Sequence, residues 1–184
     1  MANYVTIQLP VKPFVRHYVE QRFGSPARFY KDRGISSYLH ALLGKVDRRL
    51  DFRGVNTSVY SEVLDIVLSV DTMERFGYSL SVRAVLDLNH YFEDSLKMLM
   101  RSWCAAQYAH GVPASLCVRL FQDTFGFADD IWKYEAIYKD CQRNDVFLKG
   151  HINNISNKIH ELFLAQMSRN RTFKHINKLA HDKD

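Results

Sequence analysis

The stretch from Ser81 to Ala109 constrains the fold more than any other part of the chain. Val85, Leu88, Phe92, Leu96, Leu99, Trp103 and Ala106 recur at three- and four-residue intervals, which lines apolar side chains along one side of an α-helix. Leu86, Met98 and Met100 widen that stripe, so the helix is predicted to be central and covered on several sides. Gly111 stops it, and Pro113 opens a second helix. This runs over Ala114 to Thr124 and should bury Leu116, Cys117, Leu120 and Phe121. After the turn Phe125-Gly-Phe-Ala128, Asp129 or Asp130 can cap a third helix reaching about Arg143. Ile131, Tyr134, Tyr138 and Cys141 are its expected inner positions.

The N-terminal part reads differently. Tyr4 to Leu9 alternates in the strand sense, with β-branched Val5, Thr6 and Ile7. Pro10 and Pro13 end it and admit a helix from about Lys12 to Phe23, with Phe14, Val15, Tyr18, Val19 and Arg22 on one face. A short helix is predicted over Ile35 to Leu43 with Gly44 as its cap. Ser61 to Val70 is the second strand, half-buried through Leu64, Ile66, Leu68 and Val70. Each strand leads into a helical turn closed by Arg-Phe-Gly, at Arg22–Gly24 and Arg75–Gly77, so the two are expected to pair as a small antiparallel sheet. A ribbon of two strands is weak alone and must pack on helices or on a second subunit.

The predicted fold class is therefore α+β and predominantly helical, a two-stranded antiparallel ribbon packed on a long central helix and a helix-turn-helix-like pair. Residues 1–150 form a single globular domain, with its helical core at 79–145 and the candidate helix-turn-helix at 113–144. Residues 151–184 form a C-terminal amphipathic helix, lined by Ile152, Ile155, Ile159, Leu162 and Phe163, and a basic tail.

Charge is distributed unevenly. Residues 1–53 hold 10 Lys/Arg against 4 Asp/Glu, residues 54–150 hold 9 against 13, and residues 151–184 hold 6 against 3. Basic ends around an acidic middle can steer a chain toward a polyanion, and they also serve plain solubility. No apolar run is long enough for a transmembrane helix, and no signal peptide is recognisable, so a cytoplasmic protein with no membrane partner is expected. Three widely spaced cysteines, Cys104, Cys117 and Cys141, suit a reducing compartment and read as small buried hydrophobes.

No Gly-rich phosphate loop, His-Glu-X-X-His, Cys-X-X-Cys or Gly-X-Ser-X-Gly occurs. The chain is thus read as no enzyme, with no cofactor and no metal. The Asn89, His90, Glu93 and Asp94 group on the long helix reads as a solvated face.

The constellation with functional content is the helical pair. In a helix-turn-helix one helix braces another that enters the major groove. On the third helix Lys133, Lys139 and Arg143 are placed to meet phosphates or guanine edges, and Gln142 to read adenine. Asp129, Asp130, Glu135, Asp140 and Asp145 crowd the same region, and an ordinary helical hairpin has the same outline. Arg48, Arg49 and Arg53 on a basic loop, with Arg169, Arg171 and Lys174 in the tail, are candidate phosphate grips that would position rather than specify. Arg28-Phe-Tyr-Lys31 interleaves basic and aromatic residues, a pattern that either stacks a single-stranded base or covers a helix end.

Ala106-Gln-Tyr-Ala-His-Gly-Val-Pro113 and the run from Leu120 through Phe125-Gly126 to Asp140 resemble segments of small uncharacterised proteins of Bacteroides-type bacteria, some associated with mobile elements. The same run is similar to the helix-turn-helix of phage Mor-type transcription activators, where a Tyr-Gly or Phe-Gly pair closes the first helix and an acidic residue starts the second. The resemblance implies Phe125-Gly126 as the closing pair and Ile131 to Arg143 as recognition helix. It further implies a dimeric DNA-binding regulator. The alternative is a protein-interaction module docking an acidic partner.

Overall fold

The computed structural model describes residues 4–45 and 57–148. Strand β1 (Tyr4–Val11) lies antiparallel to β3 (Glu62–Ser69), with Ile7 opposite Ile66 and Leu9 opposite Leu64. Alternation does what the residues dictate: Ile7, Leu9, Val11, Leu64, Ile66 and Leu68 are buried, while Gln8 and Asp65 meet on the outer face. The other edge of β3 is also used, because Ala27 N–H donates to Asp65 O and Ala27 O accepts from Val67 N–H.

Each strand feeds a helix, as the repeated Arg-Phe-Gly ending implied. Helix α1 (Pro13–Phe23) has proline in its first turn and packs Val15, Tyr18 and Val19 inward. Arg22 instead points outward, to Asp32 and the Tyr18 hydroxyl. Helix α3 (Val70–Phe76) is capped by Ser69, whose hydroxyl accepts from Thr72 N–H. Between them lie a 3-10 turn (Phe29–Lys31), helix α2 (Arg33–Leu42) and a two-residue strand β2 (Leu43–Gly44). Gly44 is therefore not a helix cap. It pairs with Ser79 of β4 (Ser79–Leu80).

Helix α4 (Val82–Ala109) is capped by the Ser81 hydroxyl on Ala84 N–H. Its buried residues are Val85, Leu88, Phe92 and Leu96, then Met100 and Cys104. The expected Leu99 and Trp103 are only half-buried, while Ala106 and Met98 face outward. The stripe moves because successive four-residue steps advance about 40° around a helix of 3.6 residues per turn. Helix α4 packs on β1, α1 and α5 (Ala114–Phe125). Asn89, wholly buried, donates to Pro10 O at 2.8 Å and ties β1 to the helix. Glu93 is held by Lys12 and Lys97, at 2.6 and 2.7 Å. Among the described residues no helix is long and apolar enough to cross a membrane. The three cysteines are free and buried.

Candidate nucleic-acid interface

Helix α5 buries Cys117, Val118, Phe121 and Gln122. Leu116, expected inside, is 47% exposed. Gln122 is turned inward because its amide donates to Trp132 O and Asp129 Oδ1, both at 2.9 Å. This corrects the tight turn and the long third helix. Gly126 caps α5, as the Phe125-Gly126 reading required, but the chain then takes eight residues, 126–133, before α6 (Tyr134–Arg143) begins.

The reason lies in Trp132. It is 7% exposed, stacks on Phe14 with centroids 5.0 Å apart, and meets Phe127 edge-on at 5.5 Å. With the indole anchored against α1, the chain makes one turn at Ala128–Trp132, where Ile131 N–H and Trp132 N–H both donate to Ala128 O, before α6 begins. Asp129 still acts as a cap from a distance, accepting from Tyr134 N–H at 3.0 Å. Hydrogen bonds from Gln122 and Tyr134 N–H, with help from Arg119, hold the Asp129 carboxyl below its ordinary pKa.

On α6 the fully buried positions are Ile137 and Cys141, with Tyr134 and Tyr138 half-buried and stacked on each other at 5.8 Å. Ile137 went unrecognised as an inner residue, and Ile131 precedes the helix. The outer side of α6 carries Ala136, Lys139 and Arg143, with Gln142 beside them and Lys133 at the N-cap. All five are exposed. Ala136, Lys139 and Arg143, spaced three and four residues apart, share one side of the helix over roughly 10 Å. None of the three cations is ion-paired with a described residue.

The acids of this region are not equally available. Asp140 is drawn off the surface by a two-point fork from Arg101 on α4, Nε–Oδ1 2.6 Å and Nη2–Oδ2 3.0 Å. The Asp140 hydrogen bond raises the Arg101 pKa despite partial burial, and a bidentate fork of this kind is a strong charge-assisted contact. Asp129 faces Arg119, whose guanidinium lies 4.2 Å from the Tyr134 ring centroid. Asp130, Glu135 and Asp145 stay exposed. Glu135 occupies the first turn, where the helix dipole favours an acid.

Arg101 and Arg119 are the partners of these acids that sequence reasoning missed. Arg101 stands thirty-nine positions from Asp140, and no local spacing announces such a pair. The candidate grips Arg48, Arg49, Arg53, Arg169, Arg171 and Lys174, and the amphipathic segment from Ile152, lie outside the described residues. In the Asn89 to Asp94 group, Asn89 bonds Pro10 and Glu93 bonds two lysines, so those side chains already serve packing.

A second surface has a different character. Between α1 and α4 runs an open groove of about 690 Å³ floored by Leu99 and Phe125 and edged by Tyr18, Tyr91 and Met98. Met98 is 66% exposed there. The chain matches no protein-family model, no curated protein and no solved structure.

Proposed function

We propose that this chain is a non-catalytic DNA-binding protein, a transcription regulator of the kind carried by mobile elements. Helix α6 is its reading helix. The observation that carries the proposal is the exposure of Lys133, Lys139 and Arg143 at and along α6, where Arg101 holds Asp140. Lys133, Lys139 and Arg143 meet phosphates or guanine, Gln142 reads adenine, and the basic loop and tail supply further phosphate contacts. The resemblance of the run from Leu120 to Asp140 to the helix-turn-helix of Mor-type activators implies the same role and a homodimer on paired half-sites. In the homodimer the α1–α4 groove is the seam, since Tyr91 and Met98 are large apolar groups left in water by the single chain. The setting proposed is cytoplasmic, a reducing compartment in which three widely spaced, buried cysteines serve as packing groups.

A mixed-sequence duplex titrated at rising salt tests this. Binding should weaken steeply with salt, and the joint Lys133→Ala, Lys139→Ala and Arg143→Ala variant should lower the slope of log K on log salt by about 3, one per phosphate contact. No binding at low salt, or an unchanged slope in the variant, sinks the proposal. The second reading, an interaction module that docks an acidic partner, is favoured by the exposed Met98–Tyr91 groove and the unpaired cations. It takes over if duplex binding fails while the chain remains folded.

A further inference from the structure

The end of β3, the 3-10 turn and helix α2 enclose a cleft of about 180 Å³ made from none of the elements of the α6 surface. Its floor is apolar, Leu39 and Leu68. Its mouth carries two tyrosines, Tyr4 and Tyr30, that are 59% and 61% exposed. Deeper in sit Ser36 and His40. A cavity of roughly 150 Å³ admits one six-membered ring, so this one has room for a single planar heterocycle.

Three independent features narrow what that ring is. The first is orientation: His40 is stacked on Phe76 with centroids 4.5 Å apart and planes 9° from parallel, which fixes the plane of its imidazole. The Ser36 hydroxyl lies 3.5 Å from His40 Nε2, at the outer limit of a hydrogen bond, so both groups retain capacity for a ligand. Burial lowers the His40 pKa, leaving a neutral ring with one donor and one acceptor nitrogen. A polar wall offering both roles suits the edge of a nucleobase.

The second feature is charge. Arg28, Lys31 and Arg33 are exposed around the same turn, and none is ion-paired with a described residue. Asp32, the acid among them, is spent on Gly34 and Ile35 N–H and on Arg22. Asp71 and Glu74 on α3 are the exposed acids of the neighbouring element. The third is the division of labour in Arg28-Phe-Tyr-Lys31. Phe29 covers the core, 3% exposed and edge-on to Phe23 at 4.9 Å, whereas Tyr30 stays in water with the Lys31 ammonium 6.0 Å from its ring centroid. Covering a helix end accounts for Phe29 and leaves Tyr30 unexplained.

We propose that this cleft binds one nucleobase, stacked on Tyr30 with Tyr4 as second wall, its edge on Ser36 and His40 and its phosphate at Lys31. The same chemistry has two sources, a free nucleotide or an unpaired base of a single strand. The site is independent of the α6 reading.

The test uses the full chain and three probes in parallel: a nucleoside monophosphate, an oligo-dT strand and a mixed duplex, each followed by calorimetric titration. Binding of the monophosphate assigns the cleft to free nucleotides, and binding of the oligonucleotide alone assigns it to single strands. In either case Tyr30→Ala should weaken the interaction about tenfold, the scale of one stacked base, and Tyr30→Phe should restore it. Tyr30 is largely solvent-exposed, so its removal leaves the core intact. The proposal is overturned if neither the monophosphate nor the oligo-dT strand binds at about millimolar concentration, or if Tyr30→Ala binds like the parent. It is also overturned if oligonucleotide binding is lost only in the Lys133, Lys139 and Arg143 variant. A failed duplex titration alone bears on α6 and leaves the cleft standing.

Discussion

The units β1–α1 and β3–α3 share one local grammar: a strand, an immediate helix, and an Arg-Phe-Gly close. They occupy opposite sides of one antiparallel register, yet their helices fare differently. Helix α1 buries Val15, Tyr18 and Val19 and lies against α4, while α3 buries no residue at all. Both closing glycines hold a backbone that only glycine adopts readily, Gly24 at φ 83°, ψ 174° and Gly77 at φ 107°, ψ −173°. The difference teaches that the motif sets the chain path, whereas the partner decides what that path is worth.

Three experiments sharpen or break this contrast. The largest effect is expected at Gly77, where an added methyl would run into the backbone of Gly44 and Lys45; Gly24 has only Pro26 O nearby, at 3.9 Å. Gly24→Ala should cost about 1–3 kcal/mol from backbone strain alone, and Gly77→Ala clearly more. Equal melting temperatures for the two variants would mean that the β2–β4 contact contributes nothing.

Next come the helix bodies. Val19→Ala should cost about 2 kcal/mol, two buried methyls plus an imperfectly closed cavity. Phe76→Ala on α3 should cost about 1 kcal/mol at most, because its ring is 40% exposed and its recorded aromatic partner is His40. Urea midpoints that ranked Phe76→Ala above Val19→Ala would reverse the comparison.

The smallest effects concern the helix starts, one neutral and one ionic. Ser69→Ala removes a cap worth about 1 kcal/mol, by the same amount at any pH. At α1 the tie is Lys12 to Glu93. Burial works against that carboxylate, but Lys12 and Lys97 outweigh it and hold its pKa below the ordinary value. A depressed carboxylate pKa contributes stability that is complete above the unfolded value and is lost as pH falls through the folded one. Lys12→Met should therefore shrink the acid-induced drop in melting temperature, while Ser69→Ala leaves that drop unchanged. An acid profile in Lys12→Met identical to the parent would show the bridge to be without weight.

Much of this architecture was legible because its causes are local. Alternation at Val5–Leu9 and Leu64–Leu68 chose the faces of the ribbon, and Ser81 and Gly111 bounded the long helix. Tertiary causes stayed hidden. The buried stripe of α4 passes through Met100 rather than Leu99, and there Cys141 of α6 meets the Met100 sulfur. Helix α6 began late because Trp132 is anchored on Phe14, a contact between residues more than a hundred positions apart. At the candidate interface the cations Lys133, Lys139 and Arg143 could be chosen from helical spacing, but the fate of Asp140 could not. The cleft was half visible in Arg28-Phe-Tyr-Lys31, whereas Ser36 and His40 join it only through the packing of α2.

The Arg101–Asp140 fork separates where a property is used from where it is encoded. Helix α6 carries Glu135, Lys139, Asp140 and Arg143, so its formal charge cancels, and under the proposed reading the positive sign offered to a ligand depends on a residue of another helix. In evolutionary terms, selection acting on that surface would be recorded at position 101, which need never touch the ligand. Genetic drift there could silence the surface while leaving every residue on it intact.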